Sequence, residues 1–210
     1  MKKYPSISKV SIKFLGKDCI GFDKLDGSNI FYEYSKNQGW YKFGTRHRLF
    51  DKSDPDFGCA IDLFLNKYSS DIEKIIFDNF KKPDNFIVFG EFFGPHSFAG
   101  LHNPEILGVE NNSPKDIVIF DVNVHKKGFI LPRDFLKFFG KLHIPDVIYE
   151  GKFNEEFIKD VREGKYAVEE GVVVKGGNTV HELWLNKVKT YSYLKKLQEK
   201  FGVGYKNYWE

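Results

Sequence analysis

A lysine placed just before a tight turn is the first point at which this sequence offers chemistry. The run KLDGSN at residues 24–29 puts Lys24 two residues before Asp26, and Asp26-Gly27 is a dipeptide typical of a hairpin turn. Such a turn would hold an amine at the end of a strand with a carboxylate nearby. A lysine, with an ordinary pKa of roughly 10.4, becomes nucleophilic at neutral pH when burial or neighbouring cations lower that value. Taken alone, a K-x-D-G pattern is better explained by a surface lysine beside a turn.

Other short motifs with charged or aromatic side chains follow in order along the chain. They are TRH at residues 45–47, GEFFG at 90–94, IFD at 119–121, EGVVVK at 170–175 and KVK at 187–189. Each has an ordinary structural explanation, because Glu91 and Glu170 are typical of solvated strands and Phe120 of a core. Lys187 and Lys189 would share one strand face, which equally describes a solvated surface. The ordered set, not any single motif, favours function.

In this order the motifs resemble those of the covalent nucleotidyltransferases, which comprise DNA ligases, RNA ligases and mRNA-capping guanylyltransferases. DNA ligases and capping enzymes usually carry arginine where this sequence has Asn29. The sequence is therefore similar to the RNA ligase 2 and kinetoplastid RNA-editing ligase group, over a stretch from Gly21 to Lys189. The resemblance implies an ATP-dependent RNA ligase in which Lys24 receives AMP covalently and pyrophosphate is released.

The resemblance also implies a role for each charged residue at the reacting phosphate. Lys187 and Lys189 would bind the α-phosphate and depress the pKa of Lys24 by like-charge repulsion. Glu170 is expected to organise a divalent cation, Mg²⁺ or Mn²⁺, held largely through water. Asp26 is expected to orient the amine or to contact the ribose or the metal's surroundings.

A second group of residues is expected, again from the resemblance, to bind the rest of the nucleotide. Glu91 would bind the ribose hydroxyls and Phe120 would stack on adenine, a contact worth roughly 1–3 kcal/mol per base. Arg46 would bind a phosphate of AMP or of the nucleic-acid end. Lys175 and Asn29 complete the expected nucleotide-binding set.

The pattern of strands and helices predicts an α+β domain, because strands cluster and do not alternate regularly with helices. By the resemblance, this is a nucleotidyltransferase (ATP-grasp-like) domain of antiparallel sheets with flanking helices, and the nucleotide lies between the sheets. Asn154 is predicted to cap a helix that ends near Glu163. Strands are predicted at residues 19–24, 28–34, 40–43, 85–93, 117–124, 171–175 and 183–188, and the other helices at 60–80 with a break near Ser69, at 132–141 and at 192–201.

The amino-acid composition limits how the protein could bind nucleic acid and which cellular compartment is expected. The 32 basic and 29 acidic residues leave a net charge of +3, so any nucleic-acid contact should come from a local patch. No apolar run reaches membrane-spanning length and no signal peptide is evident, which predicts a cytoplasmic protein. Cys19 and Cys59 match no metal spacing and are predicted to be buried thiols in a reducing compartment.

The expected substrate is a nick or break in duplex RNA or an RNA/DNA hybrid, with a 5′-phosphate and a 3′-hydroxyl. We expect an adenylyltransferase domain at residues 1–190 and a helical tail at 191–210 in place of an OB-fold domain. We also expect a monomer, and a partner chain could supply further contacts with the nucleic acid. Lysines and aromatic residues of the tail could contact nucleic acid, although a core-packing helix is the favoured explanation. The alternatives are a minimal DNA ligase, a capping guanylyltransferase, and a nucleotide- or RNA-end-binding module without efficient sealing.

Overall fold

The computed structural model describes residues 4–7, 10–94 and 115–207, and the statements below concern these residues. The glycine- and proline-rich stretch after Gly94, and Tyr208 and Trp209 of the predicted tail patch, lie outside them. The chain divides into two compact units. The six-stranded unit comprises Met1–Tyr4 and Asp26–Ile144, and the four-stranded unit comprises Pro5–Leu25 and Pro145–Glu210.

The six-stranded unit is one antiparallel sheet with helices packed on one face. Its strands lie in the order β4-β3-β2-β5-β6-β7. Alternation along the strands sends one set of side chains to the helices, and Tyr32 of β2 stacks on Phe64 of α1 with ring centroids 3.8 Å apart. The elements are β2 Ser28–Ser35, β3 Gly39–Thr45, β4 Leu49–Phe50, α1 Gly58–Lys67, α2 Ser69–Asn79, β5 Asn85–Phe93, β6 Asp116–Val124, β7 Gly128–Phe129 and α3 Pro132–Phe139.

The four-stranded unit is a smaller antiparallel sheet with the strand order β10-β9-β1-β8. Val172, Val174 and Val188 pack on one face against Phe157 and Val161 of α4. The opposite face carries the side chains at the alternate positions, including the lysines of β9 and β10. The elements are β1 Asp18–Asp23, β8 Val147–Lys152, α4 Glu155–Arg162, β9 Gly171–Gly176, β10 Trp184–Lys189 and α5 Tyr191–Phe201, with short 3₁₀ turns at Ile12–Phe14 and Gly202–Asn207.

The predicted α+β class with antiparallel sheets is confirmed, and most predicted elements lie within a residue or two of their observed bounds. The long helical stretch is two helices that meet at Tyr68, and Asn154 caps α4 by accepting a hydrogen bond from the Phe157 N–H at 2.8 Å. The sequence analysis missed β8, whose alternation is blurred because it is an edge strand with half-exposed side chains. It also missed the two-residue strands β4 and β7.

Two further sequence predictions can be compared with the structure. Cys19 is buried as predicted, but Cys59 is exposed, because it lies on the outer side of α1 and not in the core. Among the described residues, we find no helix with both the length and the apolar character needed to cross a membrane.

Candidate active site

Lys24 lies immediately after β1, where the backbone of the four-stranded sheet fixes it. Its N–H donates to the carbonyl oxygen of Gly171 at 2.9 Å, and the preceding Asp23 N–H donates to the carbonyl of Asp146 at the same distance. These bonds continue the pairing of β1 with β9 and β8 up to the lysine itself. The Lys24 side chain is 21% exposed, so it is partly accessible to solvent.

Glu170 holds two of the predicted lysines on its carboxylate. Oε2 lies 2.5 Å from the Lys24 Nζ, and Oε1 lies 3.2 Å from the Lys189 Nζ. The side chains of Glu170 and Lys189 are only 4% and 7% exposed. Oε2 accepts no hydrogen bond from the described residues. The contact is therefore an ion pair that leaves a buried oxygen able to accept another ligand.

The backbone around Glu170 explains why the carboxylate is fixed. Gly171 has a φ of +150°, a conformation that side-chain-bearing residues rarely adopt, and a Cβ on it would collide with the carbonyl oxygen of Val188. The Thr190 N–H donates to the Glu170 carbonyl at 3.0 Å. Glycine thus allows the start of β9 to approach the end of β10 closely, which brings Glu170 to Lys189.

Lys175 and Lys187 lie on the same sheet face as Lys189. Lys175 is opposite Leu185 in the register of β9 with β10, and Lys187 is opposite Val173, so alternation puts both lysines on the face away from α4. The Lys175 Nζ lies 5.3 Å from the centroid of the Phe22 ring, a cation–π contact. The structure therefore brings Lys24, Glu170 and Lys189 into direct contact and adds two lysines on the same face.

Asp23 is a carboxylate of this site that the sequence analysis missed. Burial, followed by the nearby carboxylates of Asp146 and Glu170, raises its pKa from 3.8 to about 6, while Lys24 opposes the shift. Its position next to Lys24 was the only signal in the sequence, because Asp146 is distant along the chain. The site thus contains a carboxyl group that titrates close to neutral pH.

The six-stranded unit carries a second group of the predicted residues. Asn29 of β2 and Glu91 of β5 are directly paired in register, so their side chains emerge on the same face, away from the helices. Gly27 lies so close to β5 that a Cβ would be 2.6 Å from the Phe92 carbonyl oxygen and 3.0 Å from the Glu91 Cγ. Asp26 precedes it and is half-buried. The hairpin turn predicted at Asp26-Gly27 is wrong, because β1 and β2 belong to different sheets and are not paired with each other.

Phe120 lies at a bulge of β6, where the pairing with β5 shifts register between Phe89 and Gly90. Its ring is half-buried, and Tyr4 packs edge-on against it with centroids 5.0 Å apart. The Tyr4 hydroxyl donates to Asp121 Oδ2 at 3.0 Å, and burial followed by this carboxylate raises the Tyr4 pKa well above its usual value. The sequence analysis missed Tyr4, because nothing in its local sequence marks it.

Arg46 lies in the turn between β3 and β4, in a different environment from its neighbour Arg48. The turn is closed by the Thr45 hydroxyl, which accepts the His47 and Arg48 N–H groups at 3.2 Å. Arg48 is neutralised by Asp54. The Arg46 Nε, in contrast, is buried with no hydrogen-bond acceptor among the described residues, which fits a group that binds an external anion.

A divalent cation at this site would need ligands beyond those that the described residues supply. Within the described ranges, no three His, Cys, Asp or Glu side chains are grouped so that they could hold a metal ion. The buried Glu170 Oε2 is an oxygen of the type that Mg²⁺ and Mn²⁺ bind. The donor set therefore fits a cation that keeps most of its water or is shared with substrate phosphates. The metal role predicted for Asp26 stays a prediction.

Comparison with known proteins identifies the sequence pattern and the fold. A family model described as RNA ligase matches residues 17–190. A search of curated proteins with the sequence found no match. A Naegleria gruberi RNA ligase variant with AMP and Mn is 15% identical and superposes with a TM-score of 0.61, covering 92% of this chain and 59% of its own. The same ligase with PPi is 16% identical, with a TM-score of 0.61 and coverage of 94% and 60%.

A protein described as an ATP-dependent DNA ligase of Aquifex aeolicus has the same fold. It is 19% identical, with a TM-score of 0.60, and the match covers 94% of this chain and 52% of that one. At these identities the likeness shows a shared fold. The chain spans about three fifths of the length of the Naegleria ligase chains.

Proposed function

The chain belongs to the RNA ligase family, and on that premise we propose that it is an ATP-dependent RNA ligase with Lys24 as its nucleophile. The observation that carries the proposal is the contact of Glu170 with both Lys24 and Lys189 in a largely buried setting. This contact brings together an amine that can become a nucleophile, a buried carboxylate and a second buried cation that can offset charge on a phosphate. Support also comes from the Naegleria ligase structures with ATP or AMP and Mn.

In the first step, the neutral Lys24 amine attacks the α-phosphorus of ATP. A P–N bond forms, the bond from that phosphorus to the pyrophosphate oxygen breaks, and the proton that the amine loses passes to solvent. Lys189 and Lys187 offset the negative charge on the α-phosphate. A carboxylate next to an ammonium favours the charged form of the ammonium. The contact between Glu170 and Lys24 must therefore break, and Glu170 must take another partner, before the amine attacks. Mg²⁺ or Mn²⁺, held by Glu170 and water, would supply positive charge at the phosphate.

The remaining residues are assigned by the resemblance and supported by their setting. Glu91 is proposed to accept hydrogen bonds from the ribose hydroxyls, with Asn29 directly beside it on the paired strand. Phe120 is proposed to stack on the adenine, since its ring is half-buried and is held edge-on by Tyr4. Arg46 is proposed to bind a phosphate through its guanidinium, whose buried Nε has no acceptor among the described residues.

Two steps would complete ligation. The 5′-phosphate of a nucleic-acid end attacks the phosphorus of lysyl-AMP, which breaks the P–N bond and returns the amine of Lys24. The 3′-hydroxyl of the other end then attacks the adenylated 5′-phosphate, forms the phosphodiester and releases AMP. Because the chain spans about three fifths of the Naegleria ligase, the sealing step is the part of the proposal that most needs measurement.

Covalent labelling tests the first step directly. With ATP labelled at the α-phosphate and Mg²⁺ or Mn²⁺, the wild-type chain should acquire a covalent label that Lys24→Ala abolishes. Lys36→Ala, which removes an exposed lysine in the β2–β3 turn, should leave the label unchanged. Absence of label in the folded wild-type chain would contradict the proposal, and stronger labelling by GTP would favour a capping enzyme.

A nick-sealing comparison separates RNA ligation from DNA ligation. Nicked duplexes that differ only in having RNA or DNA on the 3′-hydroxyl side are incubated with the protein and ATP. The family membership and Asn29 lead us to expect faster sealing with RNA at that end. Equal sealing of an all-DNA nick would contradict the RNA assignment while leaving the Lys24 chemistry intact.

A further inference from the structure

Lys189 is held from two sides, and only one of them belongs to the motifs described above. Glu170 contacts its ammonium at 3.2 Å, and the Nζ also lies 5.0 Å from the centroid of the Tyr193 ring in the first turn of α5. Lys189 and Tyr193 are 6% and 3% exposed. A buried ammonium with little water around it gains more from an aromatic face than an exposed one does. Tyr193 therefore helps determine where the charge of Lys189 lies.

Thr190 connects Tyr193 to the other side of the same ion pair. Its N–H donates to the Glu170 carbonyl at 3.0 Å, and its hydroxyl donates to the Glu169 carbonyl at 2.8 Å. The hydroxyl also caps α5 by accepting the Tyr193 N–H at 3.1 Å. One residue, itself 1% exposed, thus joins the end of β10, the approach to β9 and the start of α5.

The rest of α5 is anchored within the four-stranded unit. Tyr193, Leu194 and Leu197 form a buried cluster with Phe201 and Tyr205 packed against it. On the outer side, Lys196 pairs with Glu169 at 2.9 Å and Lys195 lies 3.8 Å from Glu199. The Lys196–Glu169 pair links the helix to the segment that carries Glu170, whereas the Lys195–Glu199 pair lies within the helix. Both lysines belong to the tail that the sequence analysis considered for nucleic-acid binding.

From these contacts we propose that Tyr193 is a positioning residue for Lys189. Thr190 supports this role, because its hydrogen bonds connect the start of α5 to the segment that carries Glu170. The inference rests on the proposed function, since it assigns α5 to the part of the site that binds the α-phosphate. The helix is then a component of the adenylation site and not an appendage for nucleic acid.

The first experiment measures the position of Lys189 without any turnover. Trace acetylation with acetic anhydride, followed by peptide mass spectrometry, gives the reactivity of Lys189 relative to Lys195, whose side chain is 77% exposed. Tyr193→Leu should raise the relative labelling of Lys189 about tenfold, the order expected when one desolvated cation–π contact is lost. Tyr193→Phe keeps the ring and should stay near the wild-type value.

Leu197→Ala is the matched control, because Leu197 lies in the same buried cluster, one turn further along α5 than Tyr193. It should destabilise α5 and leave the relative labelling of Lys189 unchanged. Should Tyr193→Leu and Leu197→Ala raise the labelling equally, or should neither raise it, Tyr193 would be only a core residue and the inference would be wrong.

The second experiment measures the rate of covalent adenylation at saturating ATP. Tyr193→Leu should slow it about tenfold, while Tyr193→Phe and Leu197→Ala stay within about threefold of wild type. Thr190→Val, which removes the hydroxyl contacts with Glu169, Ser192 and Tyr193, should slow adenylation, and Thr190→Ser should restore it. Unchanged rates in both Tyr193→Leu and Thr190→Val would overturn the inference.

The two experiments separate a failure of this inference from a failure of the proposed function. If the wild-type chain acquires no adenylate, the proposed function is wrong, and the acetylation comparison still decides whether Tyr193 positions Lys189. If the wild-type chain is adenylated but acetylation of Lys189 is insensitive to Tyr193→Leu, the function stands and the inference falls.

Discussion

Asp23 makes the stability of this protein depend on pH through a carboxyl group beside the proposed nucleophile. The folded protein holds the Asp23 proton up to a pKa of about 6, whereas the ordinary value is 3.8. Between these values the folded state binds more protons than the unfolded chain, so the free energy of unfolding falls as the pH rises through this window. Above it, the full penalty of the buried charge is present.

Asp23→Asn should therefore stabilise the protein at neutral pH, with a gain that fades as the pH falls below about 6 and is absent below 3.8. A shift of this size would be worth ~3 kcal/mol for a fully buried group, and we expect about half of that because the side chain is only partly buried. Urea unfolding at several pH values measures it. Asp18→Asn, on the exposed end of the same strand, is the control, and an identical pH profile for both variants would refute the assignment.

Site residues that belong to a sequence motif could be predicted from the sequence. Site residues whose role depends only on groups distant along the chain could not. Lys24, Glu170 and Lys189 were identified because an ordered series of short motifs contains them, and the structure brings them into contact. Tyr4 has no such marker, because its contact with Asp121 joins residues 117 positions apart. Asp23 was missed for the same reason, since the groups that shift its pKa come from distant segments.

At the scale of elements, the close approach of β9 to β10 determines where the carboxylate of Glu170 lies. Gly171→Ala should cost about 2–4 kcal/mol of unfolding free energy, because it combines an unfavourable φ with a collision against the Val188 carbonyl oxygen. Gly164→Ala is the matched control in the same unit, since Gly164 also has a positive φ but no atom lies near its Cβ position. It should cost only about 1–2 kcal/mol.

Chemical denaturation of the two glycine variants decides between backbone strain and close packing. Equal losses in both would show that φ alone matters and that β10 does not constrain Gly171. The proposed function adds that Gly171→Ala should also lose covalent adenylation in the folded protein, because Glu170 would be displaced from Lys24, while Gly164→Ala should keep it.

Sequence patterns located the elements well where one face of each strand or helix is buried by its own neighbours. They failed at β8, which pairs with β1 through contacts such as Asp18 with Lys152, far apart in the chain. A strand of this type is stabilised by the partner it finds and not by its own alternation, because its side chains are half-exposed on both faces. The division into two units shares this origin, since each sheet combines segments that are distant in the sequence.

At the scale of the whole molecule, the distribution of charge limits how nucleic acid could be bound. The net charge is only +3, and many lysines of the described surface are already paired with acidic neighbours. Among these pairs are Lys67 with Asp116, Lys74 with Asp78, Lys152 with Asp18, Lys165 with Asp160 and Lys196 with Glu169. Exposed pairs of this kind add little stability, but they reduce the positive charge available to a phosphate backbone.

We therefore expect binding of a nicked RNA duplex to depend only weakly on salt. Each phosphate neutralised contributes roughly −0.9 to the slope of log K against log salt for a B-form duplex, and we expect a slope of about −2 to −4 for the wild-type chain, corresponding to a few phosphate contacts. Fluorescence anisotropy over a series of salt concentrations measures it. Arg46→Ala should make the slope shallower by about one, because the Nε of Arg46 is buried without an acceptor among the described residues.

Arg48→Ala provides the control for that measurement, because Arg48 lies in the same turn but is already neutralised by Asp54. It should leave the salt slope unchanged. A wild-type slope steeper than about −6, or equal effects of the two arginine substitutions, would mean that bulk charge and not a few local phosphate contacts binds the duplex. A weak salt dependence that is sensitive to Arg46 would assign one of a few phosphate contacts to Arg46.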